Sequence, residues 1–231
     1  MVRYVIGNWK SHKTSDAGRL WLDRFAAIYR PHPDVQVIIA PSMVSLESIA
    51  LHLKGLGLLK VFLAAQDISP FPKGSYTGAV AADLVKNLAG YAIIGHSERR
   101  RYFHETNQDV VNKVIEAADS GLTPIVCVDS SNAHAQLAAL ASIECDRLLV
   151  AYTPVDALNF NIPESPEKVA ETVLRLRQMF PAYPVVYGGA LFPGNVQAYL
   201  RLSALAGVFI GSSSLEPESF AEICEQATLS A

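Results

Sequence analysis

Two short polar clusters follow apolar runs in this 231-residue chain, and both carry chemistry suited to a carbonyl or an anion. In Gly7-Asn8-Trp9-Lys10 an amide and an ammonium stand two residues apart. The amide can donate to an oxygen, and the ammonium can polarise a carbonyl or hold an anion. The plain alternative is a surface lysine, its stem laid along apolar neighbours, beside a loop asparagine. In Ile94-Gly95-His96-Ser97-Glu98-Arg99-Arg100 an imidazole leaves a buried apolar run just before the expected start of a helix. A helix N-terminus lowers a histidine pKa, so His96 there can work as a neutral electrophile. A structural histidine would be held the same way, and a Glu-Arg-Arg cluster alone is more often a salt-bridged face.

Such residues act together only if the chain carries them to a common rim. Eight apolar runs rich in Val, Ile and Leu can do so: Tyr4 to Ile6, Val35 to Ala40, Lys60 to Ala65, Tyr91 to Ile94, Thr123 to Val128, Arg147 to Tyr152, Val185 to Tyr187 and Gly207 to Ile210. None alternates with polar residues, which predicts parallel strands buried on both faces. Helical stripes lie between them. Ala17, Trp21, Phe25 and Ile28 follow the capping candidates Thr14 and Ser15, and Val80, Leu84 and Leu88 repeat the spacing. Val110, Val111, Val114, Ile115 and Ala118 form a third stripe, closed by Gly121. Ser165-Pro166 reads as N-cap and first helical residue before Val169, Val173, Leu176 and Phe180. Short helices are expected over Ala133 to Leu140 and from about Ser219 to Gln226. With no Ser/Gly linker or charge block, residues 1–231 read as one α/β domain. Eight βα units allow a closed (β/α)8 barrel or a doubly wound sheet, and in both the chemistry sits beyond the C-terminal ends of the strands.

Composition narrows the partners. With 19 basic against 22 acidic side chains and no Lys/Arg cluster, the chain offers no electrostatic footprint for nucleic acid or an anionic membrane. Cys127, Cys145 and Cys224 are odd in number and widely spaced, without zinc-ligand spacing, so no metal is expected and they read as buried thiols in a reducing compartment. The apolar stretch after Met1 is too short for a signal peptide, which predicts a cytoplasmic protein. The uncharged run from Gln178 to Leu200 contains Pro181, Pro184, Pro193 and three glycines, and reads as helix end, strand and loop instead of a membrane span.

Taken in order, Gly7-Asn8-Trp9-Lys10, Ile93 through Arg100, Gly121-Leu122-Thr123-Pro124-Ile125-Val126-Cys127 and Tyr187-Gly188-Gly189 resemble triosephosphate isomerase from end to end. The resemblance implies a single (β/α)8 barrel without a cofactor, acting on a small sugar phosphate in glycolysis and gluconeogenesis. Carried over by position, Lys10 neutralises substrate charge, Asn8 helps bind substrate, and His96 shuttles a proton between the two oxygens of an enediolate. Ser97, Glu98 and Tyr187 support the site, and Gly211 fits a backbone position that cradles phosphate. Gly74-Ser75-Tyr76-Thr77-Gly78 resembles the family's third loop, which reaches into a partner subunit. A homodimer or homotetramer is therefore implied, with the short segment after Cys127 resembling the compact archaeal type.

The other half of the site departs from the family. Its sixth loop begins Tyr-Glu-Pro-Val-Trp, the Glu being the catalytic base; here the segment is Tyr152-Thr153-Pro154-Val155-Asp156. A threonine hydroxyl does not ionise near neutral pH and cannot accept a carbon-bound proton as a carboxylate does. Asn159 replaces a lid glycine whose N–H meets phosphate, Ala190 replaces a phosphate-binding Ser, and Ser212 replaces the second of two glycines. Asp156 and, less well placed, Glu164 are candidate replacement bases, although a loop Asp is ordinarily a solvated or capping residue. Two functions follow: a weakened aldose–ketose isomerase, or a non-catalytic homologue that binds a phosphate ester or a protein partner.

Overall fold

The computed structural model describes residues 2–129, 133–140 and 145–229. Its eight parallel strands close into a barrel in sequence order: β1 (Arg3–Asn8), β2 (Val35–Ala40), β3 (Val61–Ala65), β4 (Tyr91–Ile94), β5 (Thr123–Val128), β6 (Leu149–Tyr152), β7 (Val185–Tyr187) and β8 (Gly207–Ile210). The fold is a single (β/α)8 barrel. Most strand bounds fall where the apolar runs place them, because a strand buried on both faces has no room for a polar side chain.

Alternation along the strands sorts the core into two layers. Ile6, Ile38, Ala64, Ile93, Ile125, Cys127, Leu149, Ala151, Val186 and Phe209 belong to a cluster drawn from all eight strands and from no helix, which is the barrel interior. The opposite faces pack under the helices. In a parallel ladder, paired residues share a face. Inward positions at the C-terminal ends therefore continue straight into the mouth.

The helices are α1 (Ser15–Ile28), α2 (Leu46–Leu56), α3 (Ala82–Val85), α4 (Ser97–Tyr102), α5 (Asn107–Asp119), α6 (Ala133–Leu140), α7 (Val155–Phe160), α8 (Pro166–Met179), α9 (Val196–Leu200) and α10 (Pro217–Thr228). Thr14 caps α1 and Ser165 caps α8, with Pro166 in its first turn, as their residue types predict. The predicted stripes are partly rotated. On α1 the buried residues are Gly18, Trp21, Leu22 and Phe25, while Ala17 and Ile28 face solvent. The segment from Val80 to Leu88 forms only the single turn α3, which buries Ala82 and Val85 and leaves Leu84 exposed. Tertiary packing decides there, since Trp21 and Phe25 stack on each other and against Phe220 of α10.

Lys113 replaces an apolar residue on the buried face of α5, where Asp67 lies 2.6 Å and Glu105 3.0 Å from its ammonium. Arg99 reaches the same two carboxylates, so this network ties α4 to α5 and to the loop after β3. Cys127 and Cys224 are buried, but Cys145 is partly exposed and donates to the Arg147 carbonyl, which corrects the reading of three buried thiols. No helix among the described residues is long and apolar enough to cross a membrane.

Candidate active site

A cavity of about 470 Å³ opens at the C-terminal mouth of the barrel. Lys10, His96, Ser97, Glu98, Thr153, Asn159, Ala190, Gly211 and Ser212 all line it. Asn8 and Tyr187 are buried and do not line it.

Lys10 follows β1 in the left-handed region, at φ +50, a conformation that costs a non-glycine residue on the order of 1–2 kcal/mol. Neighbouring groups hold it there. The Lys10 N–H donates to Asn8 Oδ1 at 3.0 Å, and Gln66 Nε2 donates to the Lys10 carbonyl at 2.8 Å and to the Ala40 carbonyl at 2.8 Å. Its ammonium lies 2.6 Å from Glu98 Oε1. Asn8 thus shapes the lysine turn from within the wall, and Gln66 joins it although the sequence reading missed it. Its signal was the inward register of β3, where Gln66 lies two residues beyond Ala64.

His96 leaves β4 through Gly95, whose φ of +72 favours glycine; a Cβ there would also press on Val110 Cγ2 at 3.1 Å. The imidazole is 5% exposed and is the N-cap of α4. Nδ1 accepts the Glu98 N–H at 3.3 Å, which leaves the ring proton on Nε2 in the neutral form. Burial lowers the His96 pKa to about 4; Glu98 opposes that shift, and Lys10, Arg100 and Arg99 add to it. A neutral N–H donor therefore faces the cavity at ordinary pH.

The sixth loop is built differently from what a carboxylate base needs. Thr153 is 1% exposed, with its hydroxyl 3.5 Å from the Val128 carbonyl. The chain then forms α7, ended by Asn161 in the left-handed region at φ +53. Asn159 on α7 faces Arg101 across the mouth, 3.5 Å from its guanidinium. Where the loop returns, Glu164 is tied down: Tyr152 donates to its Oε2 at 2.7 Å, Lys168 pairs with its Oε1, and its N–H donates to the Tyr187 hydroxyl at 3.0 Å. Tyr187 thus clamps the loop's far end. The two glycines after it let chains meet closely, since a Cβ on Gly188 would lie 2.9 Å from the Phe209 carbonyl and one on Gly189 only 2.3 Å from the Tyr187 hydroxyl. Ala190 holds φ +51, kept there in part by Asn195 Nδ2 donating to its carbonyl at 3.1 Å.

Asp156 is exposed and does not line the cavity. Asp129, which the sequence reading passed over, does line it, on the loop directly after β5. Among the described residues no cluster of three metal-ligating side chains occurs. Arg100 and Arg101 line the cavity together with Lys10 and add positive charge to its wall, which can attract an anion.

Comparison with known proteins agrees with this geometry. A family model described as Triosephosphate isomerase matches residues 3–227. The chain is 33% identical to the triosephosphate isomerase of Symbiobacterium thermophilum, the match covering 96% of each chain. It is 31% identical to that of Thermodesulfovibrio yellowstonii, over 96% of this chain and 98% of the relative. Against the enzyme of Prochlorococcus marinus the identity is 30%, over 97% and 98%.

Proposed function

Because the chain belongs to the triosephosphate isomerase family, we propose that it binds a three-carbon sugar phosphate at the barrel mouth and interconverts dihydroxyacetone phosphate and glyceraldehyde 3-phosphate slowly, through an enediolate. The observation that carries this reading is the pairing of a buried neutral His96 with a Lys10 ammonium fixed by Glu98 on one cavity. Polarising the carbonyl is the electrostatic half of the reaction. His96 Nε2–H donates to the oxygen on which charge develops, and Lys10 stabilises that charge. His96 then moves a proton between the two oxygens.

Activity is weak because Thr153 stands at the base position, buried and un-ionised, and general-base catalysis is worth roughly 10²–10⁴-fold. The phosphate grip is altered too, by Asn159, Ala190 and Ser212. A binding-only homologue is the second reading, favoured by the same Thr153. Isothermal titration with phosphoglycolate tests the site, and incorporation of deuterium from D₂O into dihydroxyacetone phosphate tests turnover. Binding with slow exchange supports the isomerase, binding without exchange supports the second reading, and no binding refutes both as a phosphate-ester site.

The working form is a homodimer or homotetramer joined partly through the loop around Tyr76 and Thr77. Phe71 and Tyr76 stack there 4.7 Å apart, both partly exposed, which supports an apolar knob for a partner.

A further inference from the structure

We propose that Glu164 is a positioning residue: it pins the far end of the α7 loop before any ligand arrives and so sets how long an anion stays in the mouth. The choice of ligand rests on the triose phosphate reading; the anchor itself does not.

Three tyrosine hydroxyls from three elements converge on this one residue. Tyr152, the last residue of β6, donates to Oε2 at 2.7 Å, and Tyr199 of α9 donates to the Glu164 carbonyl at 2.6 Å. The Tyr187 hydroxyl at the end of β7 accepts the Glu164 N–H at 3.0 Å. Lys168, in the first turn of α8, pairs with Oε1. The glutamate thus has its N–H, its carbonyl and both carboxylate oxygens bound, and bonds to a carboxylate are among the stronger ones. The rings brace one another. Tyr152 and Tyr187 have centroids 5.9 Å apart, Tyr187 and Tyr199 stack at 5.0 Å, and all three are buried.

Register carries this anchor to the site. Tyr152 pairs with Tyr187 across β6 and β7, and both belong to the outer layer of the core, under the helices. The next residue along each strand, Thr153 and Gly188, lines the cavity. Glu164 does not line it; the loop that it ends supplies Val155, Leu158, Asn159 and Asn161 to the wall. At the near end of that loop the Thr153 N–H donates to the Val128 carbonyl at 2.8 Å. The middle is held more weakly: Asn159 Oδ1 is 3.5 Å from the Arg101 guanidinium, longer than an ordinary hydrogen bond, and Phe160 and Ile162 are exposed. With both ends fixed, most of the ordering of this wall is accomplished on folding, and an anion that binds has less of it to complete. Releasing the far end should therefore show chiefly in the dissociation rate.

Hydrogen exchange read by mass spectrometry, together with phosphoglycolate dissociation rates, tests this on wild type, Glu164→Gln and Glu164→Ala. The glutamine keeps an oxygen acceptor for Tyr152 and the backbone bonds; the alanine removes every side-chain tie. In Glu164→Ala, exchange over residues 155–162 should be at least tenfold faster and phosphoglycolate should leave at least tenfold faster, with β1 to β5 unchanged. Glu164→Gln should stay within threefold of wild type in both. Unchanged loop exchange in Glu164→Ala overturns the proposal, as does faster loop exchange without faster dissociation. Acceleration spread evenly over the barrel also overturns it, since that marks a residue serving the fold alone. Should Glu164→Ala not fold, Tyr199→Phe removes a single bond outside the cavity wall and should still speed loop exchange and dissociation about threefold; wild-type values there count against the anchor. A wild type that does not bind phosphoglycolate removes the triose phosphate reading and the claim on residence time, while loop exchange still decides whether Glu164 holds the loop.

Discussion

Lys10 Nζ lies 2.6 Å from Glu98 Oε1, joining the end of β1 to the first turn of α4 across 88 residues of sequence. The Glu98 N–H also donates to His96 Nδ1, so one residue positions both the cation and the imidazole of the mouth. The cation's position is therefore fixed before a substrate arrives, and ordering it costs little on binding.

Lys10→Met should weaken phosphoglycolate binding by roughly 10–100-fold, the loss of one charge-assisted hydrogen bond worth about 1.5–3 kcal/mol. Glu98→Gln should cost less, because the ammonium stays but loses its tether. Calorimetric titration of the three proteins decides this. Equal affinities would show that the anion sits elsewhere.

His96 should stay neutral through the physiological range. Burial holds its folded pKa near 4, below the usual value of 6.5. Between those values the unfolded chain binds the extra proton, so this histidine's contribution to stability is complete above about pH 6.5 and is lost as pH falls towards 4. Nitrogen NMR of the imidazole should show no titration between pH 5.5 and 8. A midpoint near 6.5 would contradict the neutral electrophile.

Thr153→Glu should raise turnover at least tenfold yet leave it well below that of a complete family site. The new carboxylate lies beside Asp129 on the neighbouring strand, where like charges oppose joint ionisation. Asn159, Ala190 and Ser212 still alter the grip on phosphate, whose binding energy drives lid closure. Steady-state kinetics of wild type, Thr153→Glu and Thr153→Glu with Ala190→Ser should rise in that order. Asp156→Asn should change nothing, since Asp156 is exposed outside the cavity; if it abolishes activity, the base lies there.

Light scattering should give a mass of at least twice 25.0 kDa at micromolar concentration. Tyr76→Lys should shift that equilibrium towards the single chain by placing a charge on the exposed ring stack with Phe71. A wild type that is already monomeric rejects the oligomer.

The parallel strands were legible in the sequence because burial on both faces forbids polar alternation, so β4, β7 and β8 stand out as unbroken apolar runs, while the closed barrel instead of an open sheet followed from the family resemblance. Lys10, His96 and Gly211 were legible for a related reason, each following its strand closely and thus reaching the rim in this fold. The helix faces were less so: on α1 the choice of Gly18 and Leu22 over Ala17 and Ile28 depends on what α2 and α10 present to it, and no local spacing contains that. Asp129 and Gln66 stayed hidden because neither belongs to a motif. Each is the first polar residue after an apolar run, and its place at the strand end follows from inward alternation combined with the register of neighbouring strands. Register is a relation between segments distant in the chain, set by closing the barrel, so only the tertiary structure decides which carboxylate stands beside Thr153.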